Sequence, residues 1–100
     1  MLIDVLFNKI MQRPAMYFGE PNLTCFRAFM DGWQMDVTNS EIRHFMNGFH
    51  DWVVRRYEVR DNVCWTRIIR YHSTSDTVAL QNTFTLMQEY RAEFGPPLSE

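Results

Sequence analysis

Between Leu2 and Phe94 the apolar side chains return every three or four residues, the period of an α-helix and not of a strand. Leu2, Ile3, Leu6, Phe7 and Ile10 gather on one side of a first helix, opposite Asp4, Asn8, Lys9 and Gln12. Pro14 ends that helix, because a proline pushes the residue before it out of the α region. Residues 13–22, with two prolines and a glycine, form a connector. A second helix starts at Asn22 or Thr24, both competent caps, and its stripe is Leu23, Phe26, Met30, Trp33 and Val37.

Thr38, Asn39 and Ser40 supply the next cap, with Glu41 complementing the helix dipole. The third helix carries Ile42, Phe45, Met46, Phe49, Trp52 and Val53 inward, and an Asp51–Arg55 pair at i,i+4 outside. After a break at residues 58–62, Asp61 or Asn62 caps a shorter fourth helix with Trp65, Ile68 and Ile69 inside and Arg67 and Arg70 outside. The turn Ser73–Asp76 has a weak capping-box spacing. The last helix runs from Asp76 to Phe94 with Leu80, Phe84, Met87, Tyr90 and Phe94 inward, and Gly95–Pro97 stops it. Strand-like stretches at 53–59 and 63–71 lack alternation and hairpin turns. The reading is an all-α fold: one domain over residues 1–100, a bundle of about five helices.

An apolar content of 46%, aromatics included, is enough to give a 100-residue chain one core and excludes a disordered one. A net charge of −2 is too near neutral to imply nucleic acid by field alone. No run approaches the ~20 apolar residues of a membrane span, and the start MLIDVLF lacks a basic signal-peptide region. Cys25 and Cys64 therefore read as reduced thiols of a cytoplasmic protein.

Catalytic chemistry finds little support. His44, His50 and His72 never fall at i,i+4, and no CxxC or HExxH occurs, so no metal site is read. Cys64, at a helix start near Arg60 and Arg67, is the better placed thiol, yet no histidine is locally positioned as its base. The glycines at 19, 32, 48 and 95 form no phosphate-cradling loop, and no cofactor is expected. Half of the ten basic residues lie between Arg55 and Arg70 (Arg55, Arg56, Arg60, Arg67, Arg70), interleaved with Tyr57, Trp65 and Tyr71. That composition suits ion pairs, a protein interface or a nucleic-acid patch.

Two resemblances arise from the connector. Arg13–Gly19, RPAMYFG, resembles a segment near the start of the DNA gyrase ATPase region. The glutamate–asparagine pair and glycine loops that follow there are missing here, which rejects that relationship. The same connector, then Phe29–Met30–Asp31–Gly32, then Phe45, Phe49, Trp52, Val53 and Arg56, then Trp65, is similar to a pattern in small bacterial immunity proteins. Those proteins are encoded beside toxins of contact-dependent growth inhibition and related polymorphic toxin systems. Ala15 stands where that pattern has glycine. The resemblance implies a non-enzymatic, cytoplasmic protein that binds and neutralises a cognate toxin domain, and it assigns no binding residue.

A nuclease toxin has a basic active site, so acidic residues are the expected contacts. Asp36 and Glu41, with Asp31, form one acidic patch; Glu58 and Asp61 form another, and Tyr57 or Tyr71 supplies an aromatic anchor. The alternative is a small helical nucleic-acid-binding or regulatory protein that uses the Arg55–Arg70 cluster.

Overall fold

A computed structural model describes residues 2–94; the side chain of Phe94 and the Gly95–Pro97 stop lie outside that description. Five of the six helices have seven residues or more, the first being counted with its π-helical continuation to Ile10, and no described residue lies in a strand, so the fold is all-α. The elements are α1 (Leu2–Val5), continued by a π-helical stretch over Leu6–Ile10, then α2 (Pro14–Phe18) and α3 (Leu23–Met35). A 3-10 turn at Val37–Asn39 leads into α4 (Ser40–Arg56), followed by α5 (Trp65–Tyr71) and α6 (Asp76–Phe94).

The first helix is wider than its sequence suggests. The Met11 amide donates to the Leu6 carbonyl at 3.0 Å, a five-residue step. That step puts Leu6 and Met11 on one side and buries both along with Phe7 and Ile10. Pro14 does not merely end this helix, as the sequence reading held; it begins α2 at the first helical position. A proline fits there, because its missing N–H would have no partner and its φ is already helical. Arg13 before it is driven to φ −140° and ψ 65°, outside the helical region. Gly19 closes α2 at φ 83°, a conformation side chains resist.

Asn22 caps α3 as expected, accepting from the Cys25 amide at 2.9 Å. The stripe on α3 ends sooner than predicted, since Asp36 turns to ψ 126° and accepts from the Thr38 amide at 2.9 Å and the Thr38 hydroxyl at 2.8 Å. Val37 is thereby thrown outward, 81% exposed, and Trp33 is only half-buried. Asn39 opens α4 without a side-chain capping bond; its side-chain Nδ2 donates back to the Trp33 carbonyl at 2.8 Å. The predicted Asp51–Arg55 ion pair is not among those made by the described residues.

The core joins all the long helices through rings. Phe49 packs on Trp52, Trp65 and Tyr90 at centroid distances of 6.0, 5.4 and 5.8 Å. Phe26 reaches Phe18, Phe84 and Trp65 at 5.5, 5.2 and 6.5 Å. Such edge-to-face, tilted and stacked contacts add about 0.5–1.5 kcal/mol per pair beyond area burial. Carboxylates tie the termini. Glu41 accepts from the Leu2 and Ile3 amides, both at 3.3 Å, and Asp4 pairs with Arg91 at 2.8 Å.

Gly48 is where α4 approaches α6. A Cβ at this position runs directly onto the Tyr90 hydroxyl oxygen and lies 3.3 Å from its Cζ. Burial pushes the Tyr90 phenol pKa up, with Asp51 adding to the rise and Arg55 opposing it. In an unobstructed helix, replacing glycine by alanine stabilises by about 0.5–1 kcal/mol. Here Gly48→Ala is expected to destabilise instead, and to lose most of that penalty in a Tyr90→Phe background, where the obstructing oxygen is gone. Urea unfolding of the four proteins checks it; an equal effect of Gly48→Ala in both backgrounds would refute the contact.

Candidate functional site

The residues with the most open chemistry collect where α5 crosses the starts of α3 and α6. The inner side of α5 is Trp65, Ile68 and Ile69, all buried. That phase is fixed by the Trp65 ring between Phe26 and Phe49, and helical geometry then points Arg67, Arg70 and Tyr71 outward. Neither Asp61 nor Asn62 caps this helix. Its cap is Cys64, at φ −66° and ψ 144°, with no side-chain capping bond. The helix starts three residues beyond Asn62, out of reach of the predicted caps. Cys64 and Cys25 are free thiols, both half-buried, and the Thr66 hydroxyl donates to the Cys64 sulfur at 3.2 Å.

The cap of α6 is Ser75, whose Oγ accepts from the Val78 amide at 3.1 Å. Ser73, the predicted start of a capping box, has another role. Its hydroxyl donates to the Ile69 carbonyl at 2.6 Å and accepts from the Asn82 amide nitrogen at 3.0 Å. Asp76 is then released from capping its own helix. Its Oδ2 accepts from the Thr24 amide of α3 at 3.0 Å, and its Oδ1 lies 3.6 Å from Nε of Arg70 on α5. One carboxylate thus holds three helices at one point. Arg70 also donates to the Ser73 carbonyl at 3.2 Å, which leaves it little freedom.

Around this point lies a cleft of about 410 Å³, lined by Leu23, Thr24, Arg27, Thr66, Arg67, Arg70, Tyr71 and Asp76. Three arginines face one aspartate, so its formal charge is positive. Arg67 makes no ion pair among the described residues, and Arg27 has only an exposed i,i+4 pair with Asp31 at 3.6 Å. Tyr71 stands 85% exposed at the edge. Its ring meets His72 edge-on at 5.2 Å, and His72 stacks on Tyr57 at 4.6 Å, so an aromatic strip runs from the cleft to the end of α4. Hydroxyls of Thr24, Thr66 and Tyr71 are present, and no three His, Cys, Asp or Glu side chains converge as a metal site among the described residues. The arrangement offers guanidinium donors and an exposed ring, groups whose chemistry suits anions and planar partners.

The candidate contacts divide sharply. Tyr71 lies on the cleft and Tyr57 reaches it through His72, whereas Asp36 and Glu41 belong to the far junction and serve local structure. Two amide hydrogen bonds commit the Glu41 carboxylate to α1. The Asp36 carboxyl is held below the usual carboxylate range, first by the Thr38 amide and then by the Thr38 hydroxyl. A more open hollow of about 490 Å³ lies there over Ser40, Glu41, Arg43, His44 and Asn47. Its arginine is spent as well, donating to the Gln34 carbonyl at 2.7 Å. The predicted arginine cluster also separates. Arg56 pairs with Glu89 at 3.1 Å and lies 5.2 Å over the Trp52 ring, while Arg67 and Arg70 face the cleft. Arg27 and Thr24 were not read as site residues, because only the Asp76 crossing places them beside α5.

Glu58 and Asp61 are exposed on the turn that follows α4. Glu58 has φ 53°, the one non-glycine residue with positive φ among those described. Its amide donates to the Arg55 carbonyl at 3.2 Å and the Val59 amide to the Val54 carbonyl at 3.0 Å. Those two bonds define a Schellman ending, whose left-handed position favours glycine. Glu58→Gly is therefore expected to stabilise the fold by about 1 kcal/mol, read as a raised urea midpoint at unchanged slope. A lowered midpoint would mean that the Glu58 side chain makes a stabilising contact of its own. Compared with protein-family models, curated proteins and solved structures, the chain matches none.

Proposed function

We propose that this chain is an immunity protein: a non-enzymatic inhibitor that binds one cognate toxin domain inside the cell and blocks it. The observation that carries this reading is the concave surface of Arg27, Arg67, Arg70 and Tyr71, on helices that share one ring-packed core. Arginine and tyrosine dominate protein-binding hot spots, because each offers a large contact area with directional donors. The resemblance to small immunity proteins supports the same reading in a specific way. Its motif residues Phe49, Trp52, Val53 and Trp65 are buried, and Phe29 and Phe45 pack against that core. The buried part of the pattern describes a scaffold, while Met16 and Tyr17 of the connector, Asp31 and Arg56 are exposed.

The nucleic-acid alternative is weakened by two of its own residues. Arg56 and Arg70 are held by Glu89 and Asp76, so the Arg55–Arg70 segment presents no continuous basic track.

Neutralisation in a cell requires the toxin to be almost wholly bound, which calls for nanomolar affinity or better, about 12 kcal/mol. The test is growth of cells expressing the toxin domain encoded next to this gene, with and without this chain, together with complex formation by the purified proteins. Protection and a stable complex are expected. A lack of both would remove the immunity reading, and binding that falls steeply with salt toward any DNA or RNA would favour the alternative.

A further inference from the structure

We infer that the cleft between α3, α5 and α6 is a docking site for an acidic peptide segment of a partner protein, with a carboxylate seated on Arg67 and an apolar or aromatic side chain covering Tyr71. The inference deepens the proposed function and rests on it only for the partner's identity, not for the chemistry of the cleft. It also reverses the polarity expected from the sequence, where acidic residues were the contacts.

The arginines of the cleft differ in how committed they are. Arg70 is engaged by both Asp76 and the Ser73 carbonyl, so only part of its donor set is open. Arg67 is exposed and without an ion pair among the described residues, so its full fork of donors faces outward. A guanidinium fork matches a carboxylate with two parallel hydrogen bonds, a stronger arrangement than a single point contact. Arg27 is held only by Asp31 at 3.6 Å, with both side chains about half exposed or more. A pair of that kind is worth a few tenths of a kcal/mol, so a partner carboxylate displaces it at little cost. Tyr71, 85% exposed, supplies the apolar contact that turns charge attraction into a specific site.

Charge placement favours a peptide over a nucleic acid. Asp76 lies in the wall and Asp31 beside Arg27, so a phosphodiester backbone tracking through the cleft meets repulsion between its cations. A segment with one or two carboxylates among neutral side chains avoids those positions. The chain's net charge of −2 does not prevent this. Charges farther away than about 8 Å are largely screened at physiological salt, so the local positive field governs docking.

Titration of the isotope-labelled full chain, followed by amide NMR, tests the site with three probes: a short Glu/Tyr-rich peptide, a thymidine oligonucleotide of equal net charge, and inorganic phosphate at matched ionic strength. The peptide is expected to shift Thr24, Arg27, Thr66, Arg67 and Tyr71 most strongly, and to bind more tightly than the other two. Arg67→Glu is expected to weaken peptide binding by about tenfold or more; Tyr71→Ala weakens it by less, and both exposed variants keep the wild-type melting temperature. Peptide shifts that map elsewhere, or an equal or stronger response to the oligonucleotide or to phosphate, would overturn the assignment. The toxin domain separates the two proposals. If the wild type protects cells and Arg67→Glu and Arg67→Gln protect equally well, the docking site is wrong and the immunity reading stands. If the wild type gives no protection while the peptide still occupies the cleft, the docking site stands and the immunity reading falls.

Discussion

The contact on which the rest of the fold depends is the Trp65 ring, wedged between Phe26 of α3 and Phe49 of α4 at centroid distances of 6.5 and 5.4 Å. Helix α5 has only the seven residues Trp65–Tyr71, far too short to be stable alone in water. It exists because Trp65, Ile68 and Ile69 bury themselves against the larger helices. The same two phenylalanines extend the ring network to α6 through Phe84 and Tyr90, and Phe26 holds α2 through Phe18. Because interiors are packed to crystal-like density, a ring in this position sets the rotation of α5 as well as its place.

That rotation makes the surface. With Trp65 inward, Arg67, Arg70 and Tyr71 have nowhere to go but out, and they come out beside Thr24 and Arg27 of α3. Asp76 then locks the arrangement from the polar side, taking the Thr24 amide and the Arg70 guanidinium on its two oxygens. Apolar packing chooses the orientation of α5, and the charged crossing fixes the spacing of the cleft walls. Cleft walls held in this way need little further ordering, whereas the exposed Arg67 and Tyr71 side chains keep the rotamer freedom that any contact would have to remove.

Sequence periodicity revealed the interior well and the surface poorly, for a physical reason. Phe26, Phe49, Trp52, Ile69 and Met87 are dictated by a local 3.6-residue repeat, and all five are buried. Where the backbone leaves that repeat, the wheel goes out of phase. The π-helical step at Leu6–Ile10 adds Met11 to the core, and the turn at Asp36 expels Val37. Prolines and caps were legible as breaks, although not always in their role: Pro14 starts a helix, and Ser75 caps where Ser73 was expected. The site was half visible. Arg67, Arg70 and Tyr71 stood out as an arginine–aromatic cluster, but their neighbours on α3 lie forty residues or more away, brought there by a hydrogen bond that spans 52 positions. No local pattern carries that contact.

The near-neutral charge was the least informative feature, because it averages two populations with different fates. Several acidic side chains are turned to internal use. Glu41 caps the first helix, Asp4 ties it to Arg91 near the end of α6, and Asp76 joins α3 to α5. Carboxylates suit this work, since they accept from backbone amides at helix starts, where the dipole favours negative charge. Arginine has no such backbone-capping role at helix starts, and its long stem lets the head reach solvent. A chain that uses acids as staples therefore presents part of its arginine outward, whatever the total. The polarity of a surface follows from which charges the fold has already consumed, and beside the cleft Asp76 is consumed whereas Arg67 makes no ion pair among the described residues.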